Sequence, residues 1–134
     1  MTETRLAYLD ASAFVKLVAD EAESSALDIT LDAWPRWSSS VLLEVEGVRA
    51  ARRRNPLAYD AARALLGGME LVDLDADIRR AAADLDARGL RALDAIHLAT
   101  ALSLGERCGT FFAYDERLIA AARAHGLSVT VPRP

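Results

Sequence analysis

The stretch Arg5-Leu6-Ala7-Tyr8-Leu9-Asp10-Ala11-Ser12-Ala13-Phe14 decides the fold class. Its first half is a short apolar run that an acid ends, as in a strand buried on both faces of a parallel sheet. Its second half reads as a helix through Ala13-Phe14-Val15-Lys16-Leu17-Val18, with Ser12 as its expected cap. The same strand-then-acid pattern returns at Thr110-Phe111-Phe112-Ala113-Tyr114-Asp115. Between and beyond these two, further strands are expected at Trp37–Ser40, Met69–Leu74 and Leu127–Val131. Helices are expected at Glu21–Trp34, from Val41 to Arg54, from Pro56 to Leu66, at Ala76–Ala87, Ala95–Leu102 and Leu118–Ala124. Pro35, Pro56, Gly67-Gly68, Gly89, Gly105 and Gly126 punctuate them. Strands alternating with helices imply an α/β domain over residues 1–134, with a parallel sheet of about five short strands flanked by helices on both faces.

The chain has 134 residues, 52% of them hydrophobic and 27% charged, which is enough for a core without covalent staples. Cys108 is the only cysteine, so neither an intrachain disulfide nor a cysteine zinc site can form. No apolar run reaches the roughly 20 residues that cross a bilayer. Met1-Thr2-Glu3-Thr4-Arg5 carries no signal-peptide pattern, so a cytoplasmic protein without membrane contact is expected. The net charge of −4 argues against nucleic-acid binding by bulk electrostatics. Any such contact needs a local basic patch or a bound cation.

Four acids stand where solvated charge is not expected. Asp10 and Asp115 each follow a strand, and the carboxyl ends of parallel strands line the binding crevice. Glu44 lies inside Val41-Leu42-Leu43-Glu44-Val45, whereas Glu46 reads as the solvated neighbour. Asp94 opens the helix Asp94-Ala95-Ile96-His97-Leu98-Ala99. Each has a plain alternative in helix capping or amphipathicity. His97 reads as a hydrogen-bonded core histidine, since no HEXXH zinc pattern is present. Carboxylates gathered in one crevice repel unless a counter-charge joins them. Hard divalent cations with oxygen preference, Mg²⁺ or Mn²⁺, meet that need and support hydrolysis of a phosphodiester. Ser12 is placed to orient a carboxylate or a water.

The chain resembles a PIN-domain ribonuclease, and more narrowly the VapC toxins of toxin–antitoxin pairs. The resemblance rests on Tyr8-Leu9-Asp10-Ala11-Ser12-Ala13, Ser38-Ser39-Ser40-Val41-Leu42-Leu43-Glu44, Leu93-Asp94-Ala95-Ile96-His97-Leu98-Ala99-Thr100-Ala101 and Phe112-Ala113-Tyr114-Asp115-Glu116-Arg117-Leu118. It implies a metal-dependent endoribonuclease that cleaves structured RNA and inhibits translation. Asp10, Glu44, Asp94 and Asp115 become the catalytic acids around Mg²⁺ or Mn²⁺, and Ser12 the associated hydroxyl. It also implies a small VapB-like antitoxin and a homodimer. One departure is Ala113, where many relatives carry Thr or Ser; Glu116 is the candidate substitute.

Arg49, Arg52, Arg53 and Arg54 form the densest basic cluster and are the expected RNA contact. Phe14, Leu17, Val18, Trp34, Trp37 and Leu42 are expected mostly in the core, with a remainder left as a groove for the antitoxin. Three other classes fit less well. A structure-specific DNA nuclease of related fold normally carries more acids and helical insertions, for which 134 residues leave no room. A receiver-type signalling domain needs a late lysine, and the only lysine is Lys16. A PIN domain that binds without cleaving is disfavoured by the presence of all four acids.

Overall fold

A computed structural model describes residues 5–134; the start read above for a leader lies largely outside them. Five parallel strands form one sheet: β1 (Leu6–Leu9), β2 (Trp37–Ser40), β3 (Glu70–Val72), β4 (Cys108–Phe112) and β5 (Val129–Thr130). Seven α-helices accompany them: α1 (Ala11–Val18), α2 (Ser24–Leu31), α3 (Leu42–Arg54), α4 (Pro56–Gly67), α5 (Ala76–Ala83), α6 (Ala92–Ser103) and α7 (Glu116–Ala124). The sheet order is β3-β2-β1-β4-β5. The chain therefore builds outward from β1 on one side, then returns to start again at β4 on the other. Such a reversal opens a crevice beyond the carboxyl ends of the two central strands. β1 ends at Asp10 and β4 leads through Ala113 and Tyr114 to Asp115.

Alternation along the strands feeds two faces. Tyr8 and Phe111 pack with Leu98 and Ala101 of α6 and Leu118, Ile119 and Ala122 of α7. Ala7, Leu9 and Phe112 pack on the opposite face with Ala13 of α1 and Leu27 and Leu31 of α2. Both faces are covered, which is why β1 is an unbroken apolar run. A third cluster seats Phe14 of α1 against Leu43, Val48 and Ala51 of α3 and Ala58, Ala62 and Leu66 of α4. Gly47 permits that approach: a Cβ there would stand 2.6 Å from the Phe14 ring. Phe14 is fully buried and has no room to withdraw. Gly47→Val is therefore expected to cost about 1–3 kcal/mol of stability in urea unfolding; an unchanged midpoint would show that α1 and α3 pack more loosely than this.

Several boundaries differ from the sequence expectation. Asp10, not Ser12, caps α1, its Oδ1 accepting from the Ala13 N–H at 2.9 Å. α2 spans only Ser24–Leu31, because Ser24 Oγ bonds back to the Ala19 carbonyl and accepts from the Glu21 N–H. α5 ends at Ala83, well before Gly89, which sits in the left-handed region at φ 76°. β4 starts two residues earlier than expected, so Ala113 and Tyr114 lie outside the sheet. Of the six apolar residues considered for a groove, Phe14 is core and Leu17, Val18, Trp34, Trp37 and Leu42 are half-buried.

Candidate active site

β1 and α1 together fix Asp10. It is 2% exposed and accepts from the Ala13 N–H and from Ser12 Oγ, which lies 2.8 and 2.9 Å from its two carboxylate oxygens. Ser12 Oγ in turn accepts from the Tyr114 N–H at 3.0 Å. The hydroxyl thus ties the end of β1 to the segment that follows β4 and holds Asp10 in one orientation. Burial, opposed by the Ala13 N–H, the nearby His97 and Ser12, and helped by Asp94, raises the Asp10 carboxyl to about 6.

Asp94 lies in the first turn of α6, whose cap position is Arg91 and carries no side-chain cap bond. Capping, the plain alternative for this acid, is therefore not what it does. The half-buried carboxyl is raised by desolvation first, then by Asp115 and Glu46, against the opposing pull of His97 and Arg91. Asp115 caps α7 through Oδ1, which accepts from the Leu118 N–H at 3.0 Å. Asp94 and Asp115 line one open cleft of about 510 Å³ with Tyr114, Glu116, Gly89, Arg91 and Arg117. Ala113 is fully buried and supplies no polar group, while Glu116 does reach the cleft.

Glu44 does not join these acids. Its carboxylate pairs with Arg63 of α4 at 3.1 Å and is more than half exposed. Glu46 lies two residues on, about 200° around the helix. It meets His97 of α6 at 2.7 Å and acts on Asp94 through space. Glu44, the expected site acid, thus turns toward α4, and Glu46, expected in solvent, is partly buried against α6. Nothing in the local pattern distinguishes them; the choice depends on which side of α3 faces α6. His97 is the buried, hydrogen-bonded histidine expected, held between Glu46 and the Tyr8 hydroxyl.

The basic cluster also divides. Arg54 pairs with Glu21 at 2.7 Å, and Arg52 lies over the Tyr59 ring. Arg49 and Arg53 are exposed and lie within about 60° of Glu46 around α3. Arg91 and Arg117, which sequence reasoning passed over, stand in the wall of the acidic cleft itself. Their signal was adjacency to the site acids, three residues before Asp94 and two after Asp115.

Among the described residues no lysine or arginine pairs with Asp10, Glu46, Asp94 or Asp115. Nor do three of these side chains already stand as a closed ligand cluster. The donor set still suits a hard cation. It is all carboxylate oxygen, two of its members hold protons more tightly than usual, and Mg²⁺ commonly takes only one or two carboxylates and keeps several waters.

The raised Asp10 group has a consequence for stability without metal. The folded state binds this proton more tightly than the unfolded chain, whose carboxyl titrates near 3.8. The native state is therefore favoured on the acid side and loses stability as pH rises from about 4 through about 6. Asp94 shifts in the same direction. In EDTA, Asp10→Asn is expected to raise the melting temperature at pH 7.5 and to flatten its fall between pH 4 and 7. A parallel pH dependence in the variant and the parent would remove Asp10 as its source.

Comparison with known proteins bears on the fold and the family. Residues 7–127 match the PIN domain family. The chain is 43% identical over 129 residues to Ribonuclease VapC35 of Mycobacterium tuberculosis, covering 93% of this chain and 96% of that protein. Ribonuclease VapC46 of the same organism is 40% identical over 125 residues with the same coverage. Among solved structures, M. tuberculosis VapC20, described as a sarcin-ricin loop cleaving toxin, superposes with a TM-score of 0.72 at 18% identity, covering 96% of this chain and 99% of that one. VapBC2 from Rickettsia felis, bound to a promoter DNA fragment, superposes at 0.72 with 14% identity, covering 95% and 98%. A parallel sheet with acids at its central switch point, and relatives of this similarity along almost the whole chain, place it in the PIN-domain family as a VapC-type ribonuclease toxin.

Proposed function

We propose that this chain is a divalent-metal-dependent endoribonuclease that cleaves structured cellular RNA to inhibit translation and is neutralised by a small VapB-like antitoxin. The observation that supports the reading is that Asp94 shares a cleft with Asp115 and lies near enough to Asp10 and Glu46 for their charges to act on one another, although the four come from distant stretches of chain. These four residues would hold Mg²⁺ or Mn²⁺. Glu46 replaces Glu44 in that role. When bound, the ion supplies charge for the scissile phosphate, a more acidic water and stabilisation of the leaving oxygen.

The protein's own part is orientation and electrostatics. Ser12 and the Ala13 N–H fix Asp10 so that its lone pairs face one direction. Asp115 spends Oδ1 on the α7 cap and Glu46 spends Oε1 on His97, so each keeps a second oxygen for the crevice. Asp94 makes no cap and keeps both. Arg91 and Arg117 on the cleft wall, with Arg49 and Arg53 on the Glu46 side of α3, contact phosphates on either side of the scissile bond. Arg52 and Arg54, engaged elsewhere, contribute less. With aromatics at 6% of the chain, recognition of RNA by shape is favoured over extended base stacking.

Val18, Leu57, Ala58 and Ala61 line a shallow, largely apolar groove between the end of α1 and the start of α4. Leu57 is 80% exposed there. It is the apolar surface assigned to the antitoxin, in line with relatives solved as a toxin–antitoxin complex from Klebsiella pneumoniae and as VapBC2. Two copies of the chain form the working dimer. Among the described residues no helix is long and apolar enough to cross a membrane.

The purified chain, incubated with total RNA, is expected to produce discrete fragments with Mg²⁺ or Mn²⁺ and none with EDTA. Cleavage that survives EDTA would overturn the metal assignment. No cleavage under any condition, together with unimpaired growth of cells expressing the chain alone, would overturn the toxin reading.

A further inference from the structure

A polar chain runs from the middle of the sheet to the crevice. Tyr8, on β1, is fully buried, stacked on Phe111 with ring centroids 5.3 Å apart and planes 6° from parallel. Its hydroxyl lies 2.8 Å from Nδ1 of His97, which is 1% exposed. Nε2 of the same ring lies 2.7 Å from Oε1 of Glu46. A phenol hydroxyl keeps its hydrogen at neutral pH. A carboxylate can only accept, so Nε2 must carry the hydrogen that reaches Glu46. Nδ1 is occupied by the Tyr8 hydroxyl. Neither ring nitrogen is left over for an ion, and the imidazole has no freedom to turn.

Resting on the reading of Glu46 as a site acid, we infer that His97 is a positioning residue: it holds Glu46 toward the crevice through Nε2–H, and Tyr8, bonded to Nδ1, steadies the ring. An unheld glutamate on the surface of α3 explores several rotamers, and aligning it on ion binding costs affinity. A donor behind a ligating carboxylate removes that cost and sets which oxygen faces forward; loss of such a donor typically weakens metal affinity about 10–100-fold. The arrangement also accounts for a histidine buried beside carboxylates in a fold with no use for it as a ligand.

Two measurements, made on the 134-residue chain and its variants, test this. Long-range ¹⁵N–¹H spectra of the imidazole without metal are expected to show His97 protonated at Nε2; a ring with Nε2 bare would overturn the proposal. Mn²⁺ titration by calorimetry is expected to show about 10–100-fold weaker binding for His97→Leu, with His97→Gln, whose amide can still donate to Glu46, recovering most of it. Equal affinities for all three proteins would overturn it. The Glu46→Gln variant separates this proposal from the one beneath it. If Glu46→Gln itself leaves Mn²⁺ affinity unchanged, Glu46 is not a site acid. If Glu46→Gln weakens binding and His97→Leu does not, Glu46 holds its place without His97. In the Glu46→Gln background, His97→Leu should add no further loss. Should His97→Leu fail to fold, Tyr8→Phe removes only the hydroxyl that steadies the ring and is expected to weaken Mn²⁺ binding measurably; an affinity equal to the parent's would overturn the role given to Tyr8.

Discussion

Asp94→Asn is expected to lower the rate of RNA cleavage by at least about 10²-fold while leaving the protein folded. Asp94 is the acid with the least structural employment: it caps no helix and pairs with no cation among the described residues. Its half-buried carboxyl already lies uphill as an anion, because desolvation and the charges of Asp115 and Glu46 oppose ionisation. Removing the charge therefore relieves repulsion in the metal-free state and removes attraction for the ion and the phosphate. Melting temperature at pH 7.5 in EDTA should hold or rise, and single-turnover cleavage with saturating Mn²⁺ should collapse. Cleavage within about threefold of the parent would take Asp94 out of the site.

Glu46→Gln and Glu44→Gln give opposite results. The first loses cleavage by about 10²-fold or more, as expected when a charge that helps to hold the ion becomes a neutral amide. The second is expected to stay near the parental rate, since Glu44 faces α4 and its pair with Arg63 is exposed to solvent and contributes little. The two substitutions are chemically identical and two residues apart, so comparing them cancels effects on helix propensity and net charge. A large loss at Glu44 with little at Glu46 would return the role to Glu44 and require α3 to be rotated about its axis relative to α6.

These experiments fall where local pattern stops carrying information. The alternation of apolar strands with helices was legible because β1 and β4 are buried on both faces and helix faces repeat with their own period; the sheet and its helices occur where that periodicity puts them. Asp10 and Asp115 were legible for a related reason. An acid that ends an apolar strand sits at the strand's carboxyl end, and parallel pairing brings such ends to one edge. Asp94 was legible through its place in Asp94-Ala95-Ile96-His97, although its alternative role as a cap was excluded only by finding Arg91 at the cap position. Helix ends were less legible. Ser12 and Asp10 are both good caps, and the choice between them rests on the strand's exit direction.

By itself the amino-acid sequence determined the fold class, the strand-end acids and the family, because each is written in short-range periodicity or in contiguous motifs. Only the tertiary structure turned Glu46 toward α6 and Glu44 toward α4, drew Arg91 and Arg117 into the cleft, and set His97 between Tyr8 and Glu46. Those outcomes depend on the rotation of one packed helix against another. Turning α3 by about half a revolution exchanges which glutamate faces α6, and that angle is settled by contacts such as Phe14 on Gly47, between residues 33 positions apart in the chain.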